Sequence, residues 1–291
     1  MNDYKIVTDS TCDLSADLVK ELKVEVIPMA FSIGEDTYYN YPDERELSSR
    51  DFYDRLRGGE TSITNQITPA RFVDIFEPIL SSGTDVLYIA FSSGLSGTYS
   101  NACLTAKELG EKYSDRKIYV VDSLSASMGE GLLVYHAAHK KSEGLNIEQL
   151  RDWVTANRCR LSHWFTVDDL NHLKRGGRVS GAAALFGTML GIKPVLHVDD
   201  EGHLSPLEKV RGRRQSLDSL VEHMAKKAEN PEQQIIFIGH GDSLEDAQYV
   251  AQQVKEIFHV QSVIINSMGP VIGTHTGPGI IALFYLGKDR D

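Results

Sequence analysis

The sequence predicts an α/β fold built around a parallel β-sheet. Short apolar runs alternate with longer segments of helical periodicity, and glycine, proline and hydroxyl residues separate them. Strands that alternate with helices require crossover connections, and such connections produce parallel sheets. Hydrophobic residues make up 41% and charged residues 24% of the 291 residues, a composition typical of a globular protein with one large or two ordinary domains.

In the first half of the chain, caps and stop signals set the predicted elements. Ser15 is a helix N-cap, Thr68-Pro69 starts another helix, and Gly58-Gly59 ends one. The predicted strands are residues 5–7, 24–31, 86–90 and 118–121, and the predicted helices are residues 15–22, 48–56, 68–80, 98–109 and 127–139.

A change in the sequence pattern near residues 142–145 indicates a domain boundary. The segment that follows it contains a predicted β-hairpin. The hairpin pairs residues 194–198 with 204–210 through an acidic turn that contains Gly202. The other predicted strands are residues 161–167, 235–238, 263–266 and 280–286, and the predicted helices are residues 147–157, 168–174, 182–190, 213–228 and 243–258.

Charge and cysteine content exclude several classes of protein. A net charge of −11 argues against nucleic-acid binding, which depends on basic patches. The three cysteines are far apart and form neither a disulfide framework nor a metal-binding pair. The chain starts without a signal peptide and has no uncharged apolar run of about 18 residues, so we expect a cytoplasmic protein.

The loop that follows the strand at residues 86–90 is the most informative segment. Its small hydroxyl residues, Ser93 and Ser96 among them, lead through Gly97 into a helix. Free backbone N–H groups and hydroxyls at such a turn can hold a carboxylate or phosphate, although the same residues also serve simply to cap a helix. Two further predicted strands end in polar residues, at 9–10 and 122–123, and ligands of parallel sheets bind beyond these strand ends.

Three other segments are richer in Gly, Ser, Thr and His than folding requires. They are residues 64–69, 176–180 and 268–279. Each alone is typical of a turn, but His275 is flanked by Gly and Pro, which favours a backbone shaped around a ligand.

Together these motifs resemble the DegV family, the fatty-acid-binding proteins that act as acyl carriers for bacterial fatty acid kinase. The resemblance runs nearly end to end, and its most specific motif is His275-Thr276-Gly277-Pro278-Gly279. Asn65 departs from the pattern because the family usually has Ser there. The other matching motifs are residues 8–14, 64–69, 91–102, 122–131, 173–180, 191–194 and 209–212.

The resemblance implies a two-domain DegV-like fold, with a three-layer domain around a parallel sheet in residues 1–160. A two-layer α/β domain with a mixed sheet follows in residues 161–291. It also implies a long-chain fatty acid, such as palmitate, stearate or oleate, bound between the domains, with no cofactor or metal. Its partners would be a fatty acid kinase subunit and, transiently, a membrane surface, but not nucleic acid.

The resemblance also assigns residues to the ligand. Thr64, Ser96 and His275 would hold the carboxyl group, with Ser93 and Asn65 nearby. Neutral donors suit this role, because a buried carboxylate without partners is very costly. Each candidate for the wall of the acyl tunnel fits ordinary core at least as well. These apolar candidates are Ala183, Leu185, Phe186, Met189, Leu190, Ile280, Ile281 and Leu283. We expect Arg178 and Arg211 to face the kinase or its phosphate, unless the basic run at 211–214 serves structural ion pairs.

Other functions remain open at this stage. A serine hydrolase or acyltransferase would use Ser96 as nucleophile and His275 as base, with Asp9 as a candidate acid, although Thr98 breaks the Gly-x-Ser-x-Gly spacing. A pocket like that of dihydroxyacetone kinases, to which the family fold is related, would give His275 a covalent role. His136 and His139 have helical spacing but lack a neighbouring acid or Cys, so we expect a solvated helix face rather than a metal site.

Overall fold

The computed structural model describes residues 3–179 and 191–290. The predicted helix at 182–190 therefore lies outside the described residues. The strands are β1 (Tyr4–Asp9), β2 (Glu25–Ile27), β3 (Ala30–Ile33), β4 (Asp36–Tyr39), β5 (Ser62–Thr64), β6 (Asp85–Ala90), β7 (Ile118–Asp122), β8 (Leu161–Thr166), β9 (Ile192–Val198), β10 (Leu204–Arg211), β11 (Ile235–His240), β12 (Ser262–Ser267) and β13 (Ile281–Leu286). The helices are α1 (Ala16–Leu22), α2 (Ser49–Arg57), α3 (Pro69–Ser81), α4 (Thr98–Lys112), α5 (Met128–Ser142), α6 (Ile147–Asn157), α7 (Leu170–Gly176), α8 (Arg213–Lys227), α9 (Leu244–Phe258) and α10 (Pro270–Thr276).

A four-stranded parallel sheet in the order β2-β1-β6-β7 organises the first half of the chain. Side chains alternate between its faces, so that Leu87 and Ile89 pack with α5 and α6, whereas Val86 and Tyr88 pack with α3 and α4. Helices cover both faces, and the predicted three-layer arrangement around a parallel sheet is confirmed.

A six-stranded mixed sheet in the order β10-β9-β8-β13-β11-β12 forms the second half. Only β11 and β12 among these neighbours are parallel, which confirms the mixed sheet and the predicted hairpin of β9 and β10. One face, with Trp164 and Leu283, packs against α8 and α9. The other face, with Phe165 and Phe284, joins the core around α5, so this helix lies between the two sheets.

The structure corrects two sequence predictions near the site. Residues 24–31 are not one strand: β2 belongs to the parallel sheet and β3 to a small antiparallel sheet, β4-β3-β5. Pro28, which lacks an N–H group, stands at the break. The Gly- and Pro-rich segment 268–279, expected as a loop, contains α10, which starts at Pro270 and ends before Gly277 at φ 74°. Within the described ranges no helix has the length and apolar character needed to cross a membrane.

Candidate ligand-binding site

A cavity of about 320 Å³ lies where the mixed sheet, α10 and the loops of the parallel sheet meet. This volume falls within the range of small-molecule sites. Its apolar wall contains Met29, Phe91, Leu95, Ala126, Phe165, Val198, Leu204, Met268, Val271, Ile272, Ile280, Ala282 and Phe284. Its polar lining contains Thr64, Asn65, Gln66, Ser96, Ser127, His163, Arg178, His275 and Thr276. A mostly apolar cavity with a few polar groups suits a ligand with one polar end.

Thr64 and His275 form the central polar pair of the site. Thr64 ends β5, His275 lies in the last turn of α10, and their Oγ1 and Nε2 atoms are 2.9 Å apart. The short helix α10 is fixed by buried contacts: the Tyr53 hydroxyl donates to the carbonyl of Met268 at 3.0 Å, and Ser62 and Thr274 share a hydroxyl–hydroxyl bond of 2.7 Å. The pair is therefore positioned by packing rather than by the helix alone.

The imidazole of His275 is neutral at pH 7. Burial, and after it the charge of Arg178, lowers its pKa from 6.5 to about 4. Its Nδ1 atom is buried and has no hydrogen-bond partner among residues 3–179 and 191–290. The ring edge instead packs against Gly176, where an ideal Cβ would lie under 3.0 Å from Nδ1. His275 therefore acts as a neutral hydrogen-bonding group.

Arg178 supplies positive charge at the exposed rim of the cavity. Its Nε donates to the carbonyl of Leu95 at 3.3 Å, and its Nη1 donates to the carbonyl of Gly176. These bonds hold the guanidinium between the loop after β6 and the end of α7. A carboxylate at the cavity mouth would lie near this charge without displacing it from its carbonyl partners.

Ser96 lies in the loop between β6 and α4 and lines the cavity. Its Oγ accepts the backbone N–H of Thr98 at 3.2 Å and lies 3.0 Å from the Thr98 hydroxyl, and either hydroxyl can be the donor. The Thr98 oxygen also accepts the N–H of Ile67 at 3.2 Å, which ties this loop to the segment after β5. When Thr98 donates to Ser96, the Ser96 hydroxyl hydrogen is available to a ligand.

Asn65 and Arg178 join Thr64, Ser96 and His275 in the cavity lining, but two assigned residues do not. Ser93 is exposed and is not part of the described lining, and its backbone N–H donates to Asp122 Oδ1 at 3.2 Å. Arg211 is an exposed residue at the end of strand β10 and does not belong to the described lining.

The assigned tunnel wall also requires correction. Ile281 and Leu283, both assigned to the wall, pack with α8 and α9 on the opposite face of the mixed sheet. Ile280, also assigned, lines the cavity together with Ala282. The alternation of side chains along β13 explains the difference. Outside the described residues lie Ser180 of the motif at 173–180 and the remaining assigned wall residues, Ala183, Leu185, Phe186, Met189 and Leu190.

Two arginines of the basic run at residues 211–214 make structural contacts, as the ion-pair alternative expected. Arg213, the first residue of α8, lies 2.7 Å from Asp246 and 3.5 Å from Asp168. The guanidinium of Arg214 stacks 3.4 Å from the centre of the Tyr249 ring. Both side chains are therefore engaged in the structure of the second half rather than in the cavity.

The arrangement expected of a serine hydrolase is not assembled. The Ser96 hydroxyl contacts Thr98, and His275 contacts Thr64 rather than Ser96. Asp9 is fully buried elsewhere, where it accepts bonds from Thr11, Tyr88 and the N–H of Phe91. Within the described ranges no acid contacts Nδ1 of His275, so the group that would orient a general base is missing there.

Sequence reasoning missed Gln66, Ser127 and His163. Ser127 and His163 are 4% and 2% exposed, and both line the cavity. The available signal for His163 was a histidine within the apolar strand at 161–167. His136, expected on a solvated face, is half-buried beside Trp153, and burial lowers its pKa to about 4.

A second groove of about 350 Å³ shares Thr64, Arg178 and His275 with the cavity. The groove adds the basic side chain of Arg175 and the imidazole of His172. The groove thus gives access, from a side that carries positive charge, to any ligand atoms that the shared residues bind. Among described residues, one potential metal cluster, Asp199, Glu201 and His203, lies on the β9–β10 hairpin rather than in the cavity lining.

The chain forms an α/β fold with a cavity whose wall is mostly apolar and also carries polar side chains. The chain belongs to the DegV family: the family model described as "Uncharacterised protein, DegV family" matches residues 3–288. A DegV domain-containing protein of Clostridium perfringens is 43% identical over 291 residues and is covered completely, as is this chain.

Two solved structures extend the comparison. A DegV family protein from Thermus thermophilus, described as binding fatty acid, has a TM-score of 0.89 and 29% identity, with 98% of this chain and 99% of that chain covered. A stearic acid-binding protein from Eubacterium ventriosum has a TM-score of 0.86 and 26% identity, with 98% of each chain covered.

Proposed function

We propose that this protein binds a long-chain fatty acid and presents its carboxyl group to a separate fatty acid kinase subunit. The observation that carries the proposal is the Thr64–His275 pair, 2.9 Å apart, in the lining of a mostly apolar cavity. The fatty acids named for the Thermus thermophilus and Eubacterium ventriosum proteins support the same ligand class here. In this proposal residues 1–160 and 161–291 are two domains that enclose the ligand.

The carboxyl group binds to hydroxyl and imidazole donors. Thr64 and Ser96 donate through their hydroxyls, and neutral His275 either donates directly from Nε2 or orients the Thr64 hydroxyl. Asn65 adds an amide donor, and Arg178 supplies a nearby positive charge. Several converging donors offset the large cost of removing a carboxylate from water.

The acyl chain provides most of the affinity. Burying a methylene contributes about 0.8 kcal/mol, so a chain of about sixteen carbons has roughly 11 kcal/mol available before ordering costs. Palmitate, stearate and oleate are the expected ligands. The apolar wall formed by Phe91, Phe165, Ile272 and Phe284 is suited to capture this energy.

Presentation to the kinase uses the second groove. Its shared residues touch the carboxyl group from outside, and Arg175 and Arg178 stabilise the phosphoryl group during formation of an acyl phosphate. Arg211, exposed on β10, contacts the kinase subunit rather than the ligand. Loading and delivery involve transient contact with a membrane surface, and this chain itself performs no catalysis.

Lipid extraction and mass spectrometry of the purified protein test the ligand class. We expect close to one long-chain fatty acid per chain. The variant Thr64→Val, which removes the hydroxyl but keeps the shape, is expected to bind stearate about tenfold or more weakly. Thr155→Val, exposed on α6, is the matched control. Recovery of no fatty acid, together with no binding of added stearate, would refute the proposal.

An assay with the kinase subunit tests presentation separately. Arg211→Glu should reduce ATP-dependent acyl phosphate formation while leaving the stearate Kd unchanged. Normal turnover in this variant would remove Arg211 from the kinase contact. Ester hydrolysis by the wild-type protein that disappears in Ser96→Ala would instead establish the hydrolase alternative.

A further inference from the structure

Asp9 connects the end of strand β1 to the loop that carries Ser96. Its side chain is fully buried, and its Oδ2 atom accepts the N–H of Phe91 at 3.2 Å, at the point where β6 passes into that loop. The hydroxyl of Tyr88, in β6, donates to the same atom at 2.6 Å. Phe91 and Ser96 both line the cavity. Asp9 therefore fixes the start of a loop that forms part of the cavity wall.

A second buried carboxyl group, that of Glu130 in the first turn of α5, shares a hydroxyl group with Asp9. The Oγ1 atom of Thr11 lies 2.5 Å from Asp9 Oδ1 and 2.8 Å from Glu130 Oε2. The other oxygen of Glu130, Oε1, lies 2.8 Å from the hydroxyl of Thr8. All four side chains are 0% exposed, so bulk water does not reach these contacts.

The single hydrogen of the Thr11 hydroxyl requires one proton on this pair of carboxyl groups. Thr11 can donate to only one of the two carboxyl oxygens that face it. If both carboxyl groups were ionised, the other contact would bring two lone-pair oxygens together with no hydrogen between them. One carboxyl group must therefore be protonated and donate to Thr11.

Backbone donors indicate which carboxyl group stays ionised. Asp9 accepts the N–H groups of Thr11 at 3.1 Å and of Phe91 at 3.2 Å, and these groups can only donate. Glu130 contacts hydroxyls, which donate or accept as required. The start of a helix favours an anion, but in the described parts of the chain no backbone N–H donates to the carboxyl group of Glu130. The proton is therefore assigned to Glu130.

The surroundings of Glu130 favour the same assignment. The titratable groups that face it are all acidic, namely Asp9, Cys12, Asp13 and Tyr88. Burial, and after it the charge of Asp9, raises the pKa of Glu130 well above 4.5. Burial also raises the pKa of Asp9, but hydrogen bonds from side chains and backbone oppose that rise.

We propose that Asp9 is a positioning residue for ligand binding: an ionised carboxylate that holds the loop of Phe91 and Ser96, while Glu130 carries the proton of the pair. Glu130 donates from Oε2 to Thr11, and Thr11 donates to Asp9 Oδ1. The effect on the ligand rests on the proposed function, because Ser96 binds the carboxyl group there. Asp9 thus acts on binding through the loop and does not touch the ligand.

Infrared difference spectroscopy at pH 7 locates the proton. Glu130→Gln keeps the shape of the side chain, and its amide can donate to Thr11 as the protonated acid does. The wild-type minus Glu130→Gln spectrum should contain the C=O band of a protonated carboxylic acid. The wild-type minus Asp9→Asn spectrum should contain carboxylate bands instead. The reverse assignment, or carboxylate bands in both spectra, would overturn the inference.

Stearate titration and urea unfolding test the positioning role. Asp9→Asn sets an amide N–H against one of the two backbone N–H groups, so the stearate Kd should rise about tenfold or more, whereas Glu130→Gln should change it less than about twofold. Asp85→Asn is the matched control, because Asp85 is buried at the other end of β6 and accepts the N–H of Lys117 at 3.0 Å. This control should lower the urea midpoint and leave the Kd unchanged.

Thr11→Val is a further variant, and it carries the binding test if Asp9→Asn does not fold. It keeps the shape of Thr11 but removes the hydroxyl that links the two carboxyl groups, so the Kd should rise about threefold or more. An unchanged Kd in Asp9→Asn or in Thr11→Val, or a tenfold rise in Glu130→Gln, would overturn the inference. Failure of the wild-type protein to bind stearate would instead refute the proposed function, and the infrared spectra would still decide the position of the proton.

Discussion

Gly176 gives a direct way to disturb His275 without changing any group that touches the ligand. Gly176 ends α7 with a backbone conformation that alanine can adopt, but an ideal Cβ there would lie under 3.0 Å from His275 Nδ1. Unbonded carbon and nitrogen atoms normally stay about 3.5–4.0 Å apart. In Gly176→Ala the imidazole must therefore move by about 1 Å.

This displacement is enough to break the Thr64–His275 hydrogen bond. The Oγ1–Nε2 distance is 2.9 Å, and a further ~1 Å takes it past the limit for a hydrogen bond. In the proposed complex this pair positions a hydrogen-bond donor for the carboxylate, so breaking the pair costs the ligand one bond. A hydrogen bond to a charged group contributes about 1.5–3 kcal/mol, and its loss should raise the stearate Kd by about ten- to a hundredfold. Alanine favours the helix by up to about 1 kcal/mol over glycine, which offsets part of the loss in the free energy of unfolding.

Isothermal titration with stearate and urea unfolding measure the two effects. Gly110→Ala is the matched control, because Gly110 lies inside α4 and a Cβ there meets nothing within 4 Å. We expect this control to raise the free energy of unfolding by about 0.5–1 kcal/mol and to leave the Kd unchanged. A Kd for Gly176→Ala within twofold of the wild-type value would refute the role assigned to His275.

Three further predictions concern charge and burial. Burial raises the pKa of Asp13 from 3.8 to about 8, so the stabilising contribution of its protonated form is present at low pH and is lost as the pH rises through 8. Between about pH 5 and 9 the free energy of unfolding should therefore fall less in Asp13→Asn than in the wild-type protein. Urea unfolding at several pH values measures this, and an equal fall in the two proteins would contradict it. In Arg178→Met the pKa of His275 should rise above about 4 but stay below 6.5, because burial is the larger cause; an unchanged NMR titration would exclude the influence of Arg178. Arg290 is 1% exposed and donates hydrogen bonds to several backbone carbonyls. Because Arg290→Met leaves these buried carbonyls without a donor, it should lower the free energy of unfolding by at least about 3 kcal/mol. An unchanged melting temperature would argue against this.

Local signals in the sequence predicted much of the fold. Ser15 and Thr68 cap α1 and α3 as expected, because a cap depends on a few adjacent residues. The helix α10 escaped prediction because its stability comes from distant partners. Gly273 lets the backbone approach Tyr53 so closely that a Cβ would collide with this side chain. The helix propensity of the residues in α10 does not reflect such a contact, because it depends on the local sequence alone.

The site was predictable only in part, for a related reason. The motif residues Thr64, Ser96 and His275 line one cavity, but the direction of a side chain within a motif depends on the exact turn or strand register. Ser93 and Ser96 share one loop, yet only Ser96 lines the cavity. In β13 a shift of one residue separates the cavity from the opposite face, and a continuous apolar run gives no indication of that choice.

The position of α5 has a consequence for how the chain holds together. This helix precedes residue 160 but contacts β8, β11 and β13 of the mixed sheet, and one continuous core cluster includes Ile89 and Phe284. Cutting the chain at residues 160 and 161 would expose that shared surface on both fragments. The halves should therefore melt in one cooperative transition rather than in two separate steps.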